Sequence, residues 1–114
     1  MSDDDGRPWR TMTSVEGLPL LGGHALFRLP LRTERGLLLE IEYPEGVSSP
    51  EHFHDHDSFI YLLSGHLAGT VNGQECELLP GQTLLHPRGA PHTVAALRTS
   101  RWLEFKAPPT LPIG

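Results

Sequence analysis

The chain has 114 residues, 38% of them hydrophobic, with 12 glycines, 11 prolines and a formal net charge of −5. That length suits one domain, and the Gly and Pro content argues against a helix bundle and for short elements joined by turns. A single cysteine, Cys76, excludes a disulfide framework and a Cys-rich zinc module. An acidic chain whose only lysine is Lys106 has no footprint for nucleic acid. With no long apolar stretch and no leader pattern, the expectation is a cytoplasmic protein without membrane contact.

Residues 1–20 are expected to form a flexible or swapped arm, 21–107 a folded unit, and 108–114 an extended tail held off any central strand by Pro108, Pro109 and Pro112. Within the unit, Leu37, Leu39, Ile41 and Tyr43 alternate with Leu38, Glu40 and Glu42, the period of a half-buried strand. Residues 58–63 are apolar at both parities and predict a strand buried on both sides. Residues 66–71 and 74–79 flank Asn72-Gly73, a strong hairpin signal because both turn positions favour positive φ. Pro80-Gly81 turns the chain again, and strands over 82–86, 92–97 and 100–106 follow. No window has helical periodicity. The pattern predicts an all-β sandwich or barrel.

Six of the seven histidines fall between positions 52 and 92. His52, His54, His56 and Ser58 share one parity, so in an extended chain all four project to one face. Two imidazoles at i and i+2 can reach one ion, and a third from another strand would complete a face of its coordination sphere. Neutral imidazole serves Fe, Mn, Ni, Cu and Zn alike. A solvated His-Asp loop with no ligand role is the alternative reading of the same spacing.

The wider frame is Gly46-x5-His52-x-His54-x3-Ser58-x6-Gly65, followed by Gly81-x5-Pro87-x-Gly89-x2-His92-x3-Ala96. It resembles the two motifs of the cupin superfamily, Gly-x5-His-x-His-x3/4-Glu-x6-Gly and Gly-x5-Pro-x-Gly-x2-His-x3-Asn. The resemblance implies a double-stranded β-helix, a small jelly-roll β-barrel, with one divalent transition metal (Fe, Mn, Ni or Zn) inside it. Carried over position by position, His52, His54 and His92 are the metal ligands. Ser58 stands where the pattern has Glu, and Ala96 where it has Asn. The lost carboxylate leaves a three-histidine site, with His56 or Ser58 as a fourth ligand or a group behind the ligands. His86 and Arg88 are candidates to line a substrate pocket; Arg28 and Arg32 are further candidate carboxylate clamps. No catalytic residue is assigned.

The resemblance covers enzymes, binders and sensor domains, because function is not fixed by this fold. The expectation is a metal-dependent isomerase, lyase or dioxygenase acting on a small polar molecule. Ala96-Leu97, Ser100-Arg101, Leu103-Glu104 and Pro108-Pro109 are similar to the end of the pectin-degradation cupins, which makes a sugar acid one such substrate. A non-catalytic ligand-binding or sensor cupin is the alternative, and an assembly module the third. A homodimer is expected because Phe59, Tyr61 and Leu63 have the parity opposite to the histidines and need a cover, with Trp9, Val15, Leu18, Leu20 and Leu21 available as a swapped arm. Because ligand imidazoles must be neutral, metal binding by this chain is expected to weaken below about pH 6.

Overall fold

The computed structural model describes residues 8–109. Its elements are all strands: β1 (Arg10–Met12), β2 (Ser14–Val15), β3 (Leu18–Pro19), β4 (Ala25–Arg32), β5 (Leu37–Tyr43), β6 (Ser48–His52), β7 (Asp57–Val71), β8 (Gln74–Leu78), β9 (Thr83–His86) and β10 (His92–Ala107). All pairings are antiparallel, as the jelly roll requires. No helix among the described residues is long and apolar enough to cross a membrane.

Two long strands organise the barrel. β10 pairs along its whole length with β7, while its first part also pairs with β6 and its second part with β5. β7 in turn carries β9 on its first half and β8 on its second. The stretches 58–63 and 66–71 are therefore one strand, and so are 92–97 and 100–106. Each long strand turns from one sheet into the other at a local irregularity rather than at a loop. In β7 the irregularity is Gly65, with φ 94°. A Cβ there would overlap Ser100 Oγ and the Thr99 carbonyl, so only glycine allows the two strands to cross so closely. Register shifts between Ala96 and Trp102 bend β10 opposite it. Asn72 and Gly73 take positive φ, and Val71 pairs with Gln74 across them, the tight hairpin the sequence signals.

The core is the inward parity of these strands: Phe27, Leu39, Ile41, Tyr43, Ile60, Leu62, Leu67, Leu78, Val94 and Trp102. Burying each large side chain contributes about 1.5–3 kcal/mol. The outward parity of β7 is open. Phe59, Tyr61 and Leu63 are 48%, 45% and 41% exposed, so the segment 58–63 is not buried on both sides as its composition predicts. The reason is that β7 lies in the barrel wall, where only one face meets the core.

From residue 8 onward the arm lies against its own barrel. β1 extends the sheet beside β4. The Arg28 and Arg101 guanidinium groups lie over the Trp9 ring, 4.5 and 5.3 Å from its centroid. Met12, Val15 and Leu20 join the core, while Leu18 and Leu21 are exposed. β2 and β3 form a separate hairpin whose turn is Glu16-Gly17, both at positive φ. Residues 1–7 of the expected arm and 110–114 of the expected tail lie outside the described residues.

Candidate metal centre

Two strand ends and a loop bring the histidines together. His52 closes β6, His92 opens β10, and the two face each other in the antiparallel register. His54 follows two residues later, in the loop between β6 and β7 rather than in a strand. That loop is fixed from the other side. Gly89 N donates to the His54 carbonyl at 2.9 Å, and Arg88 N donates to Asp57 Oδ1 at 2.8 Å. The Pro87–Ala90 turn that delivers His92 is thus tied to the segment that delivers His54. His52, His54 and His92 are 7%, 4% and 2% exposed, and one ring nitrogen of each lies within 4.8 Å of the others.

The outer nitrogens decide the protonation. His52 Nδ1 donates to the Pro50 carbonyl at 2.8 Å, His92 Nδ1 to the Ala90 carbonyl at 2.9 Å, and His54 Nδ1 to Glu16 Oε2 at 2.9 Å. Each acceptor holds the proton on Nδ1, so each neutral ring carries its lone pair on Nε2. Burial disfavours the imidazolium in all three. It lowers His52, takes His92 down to about 4, and pushes His54 further, with the Lys106 charge acting in the same direction. Three neutral rings with anchored Nδ1–H groups and convergent lone pairs fit a divalent transition metal. The cavity they line, about 30 Å³, has room for an ion and a water, with Met12 and Val15 of the arm among its walls.

The other candidates divide. His56 and Ser58 are buried with the ligand parity, but both face an ammonium. Lys106 Nζ lies 3.0 Å from His56 Nε2 and 2.9 Å from Ser58 Oγ. His56 also stacks on His54, with ring centroids 4.5 Å apart. His86 is buried against His92, centroids 3.8 Å apart and rings nearly parallel, and lines the cavity. Burial lowers it to about 3, and its Nε2 has no hydrogen-bond partner among the described residues. Arg88 is exposed and absent from the cavity wall; its contribution is the backbone N–H on Asp57. Arg28 pairs with Glu40 at 2.8 Å, and Arg32 is exposed, so neither reaches the centre. His66 pairs with Glu77 at the sheet surface.

Three residues of the centre carry no signal in the histidine motifs. Glu16 orients His54 from 38 positions away. Glu104 and Lys106 form a buried ion pair on the inward parity of β10, and Trp102 Nε1 donates to the second Glu104 oxygen at 2.9 Å. With that ammonium beside it, the Glu104 carboxyl is held well below the usual carboxylate range despite its burial.

A family model described as "Cupin domain" matches residues 39–105. Among curated proteins, the chain is 38% identical over 60 residues to the tetracenomycin polyketide synthase protein TcmJ of Streptomyces glaucescens. The match covers 52% of this chain, which spans only 40% of that protein's length. Among solved structures, the polyketide cyclase RemF of Streptomyces resistomycificus is 28% identical with a TM-score of 0.68, over 78% of this chain and 68% of that one. KdgF from Halomonas sp. shares the fold at 21% identity and a TM-score of 0.71, over 74% of this chain and 78% of that one. With both motifs inside the matched region and the jelly roll around them, the chain belongs to the cupin family.

Proposed function

We propose that this chain is a metal-dependent enzyme that acts on a small, oxygen-bearing molecule by polarising a carbonyl or hydroxyl group. The observation that carries the reading is the set of three Nε2 lone pairs on His52, His54 and His92, each fixed by an acceptor on Nδ1. A divalent ion bound there by neutral ligands keeps its full charge and acts as a Lewis acid. The protein's own contribution is to hold the rings neutral, exclude water with Met12, Val15 and Trp102, and offer His86 Nε2 as the group that holds or moves a proton beside the ion. Proton transfer next to a carbonyl, as in isomerases and lyases, suits this arrangement, and a dioxygenase follows if the ion is iron. The two polyketide-related relatives favour a polyketone or phenol over the sugar acid expected from the C-terminal resemblance.

Elemental analysis of purified protein, then turnover assays with poly-β-ketone mimics and unsaturated uronates, tests the reading. Bound metal with turnover supports it; a protein that takes up no first-row ion refutes it. Bound metal and ligand without turnover support the second reading, a ligand-binding or sensor cupin. We also infer a homodimer. Phe59, Tyr61, Leu85 and Phe105 flank an outward apolar groove of about 470 Å³, a patch of the kind monomers seldom leave open.

A further inference from the structure

Lysine occurs once in the chain, and the fold buries it: Lys106 is 1% exposed. Lysine is almost never fully buried unless paired. An ammonium has three protons, and Lys106 finds an acceptor for each of them in His56 Nε2 at 3.0 Å, Ser58 Oγ at 2.9 Å and the Glu104 carboxylate. Glu104 is in turn anchored by Trp102 Nε1, so the ammonium cannot swing away without leaving a buried carboxylate unpaired.

The acceptors matter. Ser58 occupies the position at which the cupin pattern places its carboxylate ligand, and His56 is the neighbouring side chain of ligand parity. They are the two residues that the motif frame offers as a fourth protein ligand. In the three proposed ligands the hydrogen bonds sit on Nδ1 and leave Nε2 open. In His56 the Nε2 lone pair is itself engaged, accepting from Lys106. One lone pair cannot serve an ammonium proton and a metal ion at once.

We propose that Lys106 is a specificity-determining residue that keeps the centre at three protein ligands by engaging His56 and Ser58, leaving the remaining coordination positions to substrate or water. The inference rests on the metal-binding reading above. The Glu104 charge cancels that of Lys106, so the pair limits ligand number without opposing metal binding as a whole.

Titration with Co²⁺ alone, read by affinity and by the visible ligand-field spectrum, tests it. His56→Ala is expected to bind Co²⁺ within about threefold of the wild type with an unchanged spectrum, below the roughly 10–100-fold that loss of a supporting group costs. His54→Ala should lose stable binding. Lys106→Met with Glu104→Gln, which removes both charges together, should free His56, tighten binding at least about tenfold and alter the spectrum. Adding His56→Ala to that pair should return both readouts to wild-type values. The proposal is overturned if His56→Ala loses Co²⁺ as His54→Ala does, or if the paired variant keeps wild-type affinity and spectrum. Should the paired variant not fold, His56→Ala against His54→Ala still decides. A wild type that binds no Co²⁺ removes the metal reading itself, a result distinct from either of these.

Discussion

Acidification of the metal-free protein should unfold it through its histidines. His54, His56, His86 and His92 are buried and neutral, and burial holds their pKa values to about 2, 4, 3 and 4, against 6.5 for an ordinary imidazole. The folded pKa lies below the unfolded one, so between the two the unfolded chain binds more protons. The stability contribution is therefore complete above about pH 6.5 and is lost as pH falls toward the lowered values. At pH 5.5 each such histidine costs about 1.4 kcal/mol, and the four together about 6 kcal/mol. His52 shifts in the same direction. Against a typical domain stability of about 5–15 kcal/mol, that places acid unfolding near pH 5. Urea titrations followed by the fluorescence of buried Trp102 between pH 8 and 4.5 measure the effect. A stability that is flat from pH 7.5 to 5 would refute the picture of buried neutral rings. Because the proposed ligands are already neutral, metal uptake by the folded protein should hold down to about pH 5, below the threshold near pH 6 that free imidazole implies.

Four further outcomes are expected. Glu16→Ala removes the acceptor behind His54 and should weaken Zn²⁺ binding about tenfold by competition with a chelating dye; unchanged affinity would mean that the hairpin contact does not orient the ligand. Ser58→Ala should leave metal affinity within about tenfold, yet strip one acceptor from Lys106 and destabilise the fold by about 1–3 kcal/mol in chemical denaturation. Gly65→Ala should cost at least about 2 kcal/mol, since the new Cβ meets Ser100 at a positive φ; a neutral result would show that β7 and β10 can separate there. Sedimentation equilibrium should find a dimer that Phe59→Asp dissociates, and a wild-type monomer at high micromolar concentration would reject the outward face of β7 as the interface.

The convergence of His52, His54 and His92 is legible because their positions obey fixed local spacings. A loop of set length and a Pro-Gly turn place His52, His54 and His92 whatever the rest of the chain does. The Asn72-Gly73 hairpin was legible for the same reason. What the sequence hid is set by contacts distant along the chain. Gly65 and the bulges in β10 do not read as strand-continuing features, so each long strand reads as two. Glu16 meets His54 across 38 positions, with no spacing to announce it. Lys106 is different, for its signal was present. Ser100, Trp102, Glu104 and Lys106 share the inward parity of β10, and Phe105 has the other, so a strand that buries Trp102 must also bury the ion pair. Phe105, of the opposite parity, is 37% exposed. The apolar run 58–63 misleads in the opposite sense, because composition cannot separate a face turned to the core from an apolar face turned outward.

Anomalous scattering at the cobalt edge from a crystal grown with Co²⁺ tests most directly whether His52, His54 and His92 form one metal centre through Nε2, the proposed arrangement. That arrangement predicts a single strong peak in each barrel, bonded to the three Nε2 atoms, with the Nδ1 contacts to Pro50, Glu16 and Ala90 intact and His56 still on Lys106. A barrel interior with no peak, or a peak ligated through Nδ1 or by other residues, would contradict it.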